Sequence, residues 1–217
     1  MLPLRAVIFD LDGTLLDSMW FWQNLSLSFL RRHGVRDCAA VVSEIACMTP
    51  SEALAYAVKR CSLPLTVPEA LAEIEDDIAS FYGERAQFKP GAAEFLAEVR
   101  RRNLAAGILS ASPRNYVESA LIRLGVREYF TAIRHTGEPG MSKSRPEAFL
   151  RMAAELGSTA AETLVCEDAL YAASAAKRAG FRVCAIRDGS EPRQTELARS
   201  ADWYIGSWCE IPSALFA

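Results

Sequence analysis

Ala6-Val7-Ile8-Phe9-Asp10-Leu11-Asp12-Gly13-Thr14 is the stretch from which the rest of the 217-residue chain is read. Four apolar or small residues run directly into two carboxylates one residue apart, the pattern of a strand buried on both faces that ends in a polar tip. In open α/β sheets ligands bind just beyond the carboxyl ends of the strands. Asp10 and Asp12 stand at that edge, followed by Gly13, which lets the backbone turn close to a ligand, and by Thr14, which offers a hydroxyl. An ordinary Asp-Gly turn after a strand has the same letters. The remainder of the chain has to separate the two.

Beyond the tip the pattern is helical for some seventy residues. Apolar residues at helical spacing predict a helix over Leu15–Arg32, stopped at Gly34, and another from about Asp37 to Cys47. Thr49-Pro50-Ser51-Glu52 and Thr66-Val67-Pro68-Glu69 have the form of capping boxes with an early proline, launching helices over Ala53–Cys61 and on to about Arg85. Four helices with no strand between them do not belong in a doubly wound sheet, so residues 16–87 read as a helical insertion. From Phe88-Lys89-Pro90-Gly91 onward helices alternate with short apolar runs. Strands are predicted over 104–109, 131–135, 163–166, 181–186 and 203–205, and helices over 92–102, 113–124, 144–157 and 169–179, the third opened by Ser144-Arg145-Pro146-Glu147 as a capping box. The expectation is an α/β fold: a doubly wound parallel sheet in a Rossmann-like core of residues 1–15 and 88–217, with a small helical domain inserted at 16–87.

Net charge is −3 with both signs well mixed, which leaves no basic stripe for a nucleic-acid backbone. No apolar run approaches the roughly 20 residues of a membrane span. The first residues lead straight into a strand without a basic and then apolar leader, and six scattered cysteines form no Cys-x-x-Cys pair. A cytoplasmic protein, monomeric or weakly dimeric, with no nucleic-acid or membrane partner is expected.

Three predicted strands end in polar residues: Asp10 and Asp12, Ser110, and Glu167-Asp168; Lys143 lies in the loop ahead of a helix. Parallel strands bring such ends to one edge. Carboxylates from two strand tips suit Mg²⁺, which takes a few hard oxygen ligands and leaves its other positions to water or phosphate oxygens, and Asp10 and Asp168 are the obvious ligands. A lysine there supplies a point charge for a carboxylate and a phosphate that would otherwise repel each other.

Asp10-Leu11-Asp12-Gly13-Thr14, then Ser110 after an apolar strand, then Lys143 with Pro146-Glu147-Ala148-Phe149, then Glu167-Asp168 with Ala175-Ala176-Lys177-Arg178-Ala179-Gly180, resemble the four successive motifs of the haloacid dehalogenase superfamily in its phosphatase form. The resemblance covers the whole chain, and the helical insertion resembles the cap of the subgroup that includes phosphoglycolate phosphatase, sugar-phosphate phosphatases and β-phosphoglucomutase. It implies that Asp10 is the nucleophile that forms an aspartyl-phosphate and that Asp12 is the general acid/base, its main-chain carbonyl also facing Mg²⁺. By the same resemblance Lys143 stabilises charge, Gly13, Thr14, Ser110 and the backbone at Ala111 bind the phosphoryl oxygens, and Asp168 completes the metal site with Glu167 as direct or indirect ligand. The implied substrate is a small phosphorylated metabolite such as a sugar phosphate, with the cap as a lid. Departures are small: Ser144 follows Lys143 where proline is usual, and Ala169 and Ala172 replace the usual serine and glycine. A mutase is the alternative, but Ala46 and Pro50 stand where basic residues would hold a second phosphate, and Met19-Trp20 where a histidine is expected. Of the cap residues, Trp20, Phe21, Trp22, Met48 and Tyr56 are expected to be cap core.

Overall fold

In the computed structural model the described residues are all except Met1, Ala46, Cys47, Thr49 and Ala217, with the side chains of Pro50, Ser51, Ser213 and Ala214 also excluded. The expected capping residue Thr49, and Ala46 and the Pro50 side chain of the mutase comparison, therefore lie outside the described residues. The chain divides into two units, one of Met1–Met19 with Gly83–Ala217 and one of Trp20–Tyr82, a helical segment narrower at both ends than the 16–87 expected.

The first unit is an α/β fold on a six-stranded parallel sheet, β1 (Ala6–Phe9), β2 (Ala105–Ser110), β3 (Ala132–His135), β4 (Thr163–Glu167), β5 (Arg182–Ile186) and β6 (Trp203–Ile205). Its spatial order is β3-β2-β1-β4-β5-β6, every pair parallel, so the chain winds outward from β1 in both directions. This is the doubly wound arrangement, and the reversal falls beside β1. Burial on both faces explains why β1 lacks polar alternation: each of its residues is at most 1% exposed. Ile8 belongs to one core cluster with Leu109, Val165, Phe149 of α7 (Pro146–Glu155) and Ala173 of α8 (Leu170–Arg178). Phe9 points to the opposite face, against Phe95 of α5 (Ala92–Arg101), Phe130 and Trp208, at ring separations of 5.9, 6.1 and 6.1 Å. Two further helices of this unit are α6 (Arg114–Arg123) and α9 (Gln194–Ser200).

Two local expectations need correction. The helix expected from Leu15 begins only at Met19, because Leu15 and Leu16 N–H both turn back to Leu11 O (2.9 and 2.8 Å) and Leu16 bridges to Phe88. Ser144 does not cap α7; the N-cap is Arg145, in extended backbone (φ −117°, ψ 135°) as a residue before proline prefers, and Ser144 Oγ meets Ser142 Oγ at 2.9 Å instead.

The second unit holds helices α1 (Met19–Arg32, whose first residue belongs to the other unit), α2 (Cys38–Ile45), α3 (Pro50–Arg60) and α4 (Val67–Ser80), and the start of a π-helical turn, Phe81–Arg85, whose last three residues belong to the other unit. Phe29, Leu30, Val41, Ala57 and Ala70 form its core. The Thr66–Glu69 capping box is present in both directions. Phe21 is buried and stacks on Phe81 at 4.0 Å, while Trp22, Met48 and Tyr56 are half-buried. Trp20 is not core: it is 49% exposed, on the face of its helix away from Phe29 and Leu30. Among the described residues no helix is long and apolar enough to cross a membrane.

Candidate active site

Register places the tips of the three central strands together. Phe9 pairs with Ile108 of β2 and with Cys166 of β4, so Asp10 lies level with Leu109 on one side and Glu167 on the other. Asp10 N–H continues the ladder to Cys166 O at 2.9 Å. The chain then turns sharply at Gly13, whose φ of +80° lies in the left-handed region, and a Cβ there would be driven into the Asp168 carboxylate. Trp208 fixes the turn from behind, donating its indole N–H to Thr14 O at 2.9 Å.

Asp10, Glu167 and Asp168 are all buried, and one carboxylate oxygen from each lies within 4.8 Å of the others. Lys143, 4% exposed, donates from Nζ to Asp10 Oδ1 at 2.6 Å and is ion-paired with Glu167 Oε1. Burial works against its charge, but Asp10 and Glu167 outweigh it and hold the ammonium above its ordinary pKa. Burial pushes both the Glu167 and the Asp168 carboxyls up; Lys143 partly offsets this at Glu167, while the charges of Asp10 and Glu167 add to it at Asp168. One ammonium therefore faces three close carboxylates. That surplus of hard oxygen donors, taken out of water, fits a divalent cation such as Mg²⁺.

The Thr14 hydroxyl lies between the carboxylates, 2.9 Å from Asp168 Oδ1 and 3.3 Å from Asp10 Oδ2. Asp12 is held separately. Ser18 Oγ donates to its Oδ1 and Ser112 Oγ to its Oδ2, both at 2.7 Å. Ser110 ends β2 fully buried, its Oγ accepting Ser112 N–H at 3.0 Å, and Ala111 beside it is exposed. Ser18 and Ser112 were not among the residues picked from the sequence as holding Asp12; hydroxyls six and one hundred residues away carry no spacing signal that separates them from other serines.

The family follows from the chain itself: residues 7–186 match the haloacid dehalogenase-like hydrolase model, and the protein belongs to that family. Over 95% of its length it is 30% identical to a bifunctional riboflavin kinase/FMN phosphatase of Arabidopsis thaliana, of which it spans 54%, about half. It is 29% identical to a phosphoglycolate phosphatase of Synechococcus elongatus, covering 98% of this chain and 95% of the relative. Its fold is shared with CbbY from Rhodobacter sphaeroides, solved in complex with phosphate, at a TM-score of 0.73 and 22% identity over 95% of this chain and 96% of that one.

Proposed function

We propose that the protein is a Mg²⁺-dependent phosphoric monoester hydrolase that acts on a small phosphorylated metabolite through an aspartyl-phosphate on Asp10. The observation that carries this reading is the 2.6 Å contact of Lys143 with Asp10 inside a buried, carboxylate-rich cluster at the strand tips. Relatives named for phosphatase activity support the reaction class.

In this mechanism a carboxylate oxygen of Asp10 attacks phosphorus in line with the leaving oxygen, and the ester P–O bond breaks. Asp12 gives the leaving alcohol its proton. Water, deprotonated by Asp12, then attacks phosphorus, the bond to Asp10 breaks, and phosphate and free carboxylate result. Lys143 compensates the nucleophile's charge as the phosphate approaches, and Ser18 and Ser112 keep Asp12 aimed. Asp10, Asp168 and the Asp12 carbonyl would hold Mg²⁺, which supplies positive charge between carboxylates and phosphoryl oxygens when bound. Both oxygens of Glu167 are engaged, one by Lys143 and one by the Asp168 and Ala169 N–H groups at 3.1 and 3.0 Å, which supports an indirect role. Trp20–Tyr82 serves as the cap in this reading.

A turnover screen of phosphorylated metabolites, with and without Mg²⁺, tests the proposal through released phosphate. Incubation with β-glucose 1-phosphate plus β-glucose 1,6-bisphosphate separates hydrolase from mutase. Free phosphate without stimulation by the bisphosphate is expected; efficient conversion to glucose 6-phosphate with little phosphate released overturns it.

A further inference from the structure

Helix α8, which follows Asp168 directly, starts without a cap of its own. Ala169 occupies the N-cap position in extended backbone (φ −99°, ψ 128°) and has no side-chain oxygen for the first N–H groups. Glu167 takes the N–H groups of Asp168 and Ala169 through one oxygen. The next, Leu170 N–H, is met from a different loop: Glu191 Oε2 accepts it at 2.9 Å. The Glu191 side chain is only 9% exposed, and its other oxygen accepts Arg193 N–H at 2.8 Å.

The loop that presents Glu191 is itself tied down. Asp188 is ion-paired with Lys89 at 2.7 Å and accepts Ser190 N–H at 2.9 Å. Lys89 also donates to Arg187 O at 3.0 Å, and Gln194 joins Glu191 O (3.0 Å) to the Tyr204 hydroxyl (2.7 Å). A carboxylate held this firmly at a helix N-terminus accepts a charge-assisted hydrogen bond and complements the helix dipole. Here that helix start is also the turn that aims Asp168 at Asp10 and Thr14.

We propose that Glu191 is a positioning residue for Asp168: it supplies from the loop after β5 the acceptor that Ala169 cannot, and so fixes the turn on which the acidic cluster depends. The inference rests on the reading of Asp168 as a metal ligand. Mn²⁺ binding to the full chain, followed by the paramagnetic resonance of free Mn²⁺ well below the melting temperature, tests both and tells them apart. Glu191→Ala is expected to weaken Mn²⁺ binding about tenfold, in the range seen when groups supporting metal ligands are removed. Glu191→Gln, whose amide oxygen still accepts Leu170 N–H although its amide nitrogen cannot accept Arg193 N–H, stays within about twofold of wild type on the same scale, because Arg193 does not touch Asp168. If the alanine variant does not fold, Glu191→Asp carries the same expectation as Glu191→Ala, because it keeps the charge but is one methylene too short to reach Leu170. Wild-type affinity in Glu191→Ala or Glu191→Asp, or equal weakening by Gln and Ala, overturns the positioning role. Failure of the wild type to bind Mn²⁺, or undiminished binding by Asp168→Asn, overturns the metal reading instead.

Discussion

Gly13→Ala places one methyl group where backbone conformation and site chemistry both resist it. At φ +80° an L-residue costs about 1–2 kcal/mol relative to glycine. The new Cβ would also strike the Asp168 carboxylate and lie 3.0 Å from Met19 Cγ, an overpacking that typically costs about 1–3 kcal/mol. Gly157→Ala is the internal control: its φ is +68°, it follows α7, and nothing lies within 4 Å of its added Cβ. The two variants share the conformational cost and differ in the contact. In urea unfolding Gly157→Ala should lose about 1–2 kcal/mol, and Gly13→Ala about 2–5 kcal/mol unless the Asp168 side chain swings away. Whether Asp168 swings away or is crowded where it stands, its carboxylate no longer meets Asp10 and Thr14 as before, so phosphatase turnover should fall at least about 100-fold in Gly13→Ala and stay near wild type in Gly157→Ala. A Gly13→Ala protein with turnover within a few-fold of wild type refutes the argument that the close approach of Gly13 to Asp168 sets the site.

Excess chelator should abolish hydrolysis of p-nitrophenyl phosphate and added Mg²⁺ restore it, because the single ammonium of Lys143 cannot offset three buried carboxylates and a phosphate; full turnover in chelator rules the mechanism out. Asp10→Asn should remove all measurable turnover, whereas Asp12→Asn should spare the first step best for esters with good leaving groups, which need no proton donor; rapid-quench detection of phosphorylated protein checks the difference. Asp188→Asn tests the loop anchor by pH. Burial alone would raise the Asp188 pKa, but hydrogen bonds from Lys89 and Ser190 leave it below the ordinary value of 3.8. A carboxyl lowered in the folded state stabilises above its unfolded pKa and loses that contribution as pH falls through the folded one. Asp188→Asn should thus cost about 1.5–3 kcal/mol at pH 7 by chemical denaturation, the gap to wild type closing below about pH 4; a gap that does not change with pH contradicts this.

The strands, their order along the chain, the run of helices between the first two strands and the polar tips at Asp10, Ser110 and Glu167-Asp168 were legible in the sequence, because a parallel strand buried on both faces must be written as a short apolar run. Helix signals were legible where the cap is local, as at Thr66 and Glu69, and misleading at Ser144, where turn geometry rather than residue type chose Arg145. Trp20 was misplaced because Met19 to Trp22 are apolar all round the helix, so residue type alone does not show which of them shares the face of Phe29 and Leu30. The sequence by itself determined which residues carry charge and which element each one ends. Only the tertiary structure decided what they touch: Lys143 reaches Asp10 across 133 positions, Ser112 reaches Asp12 across 100, and Glu191 caps a helix that begins 21 residues earlier. The physical reason is that periodicity records the burial of one element at a time, whereas hydrogen bonds between loops depend on the register of strands that only the assembled sheet brings side by side.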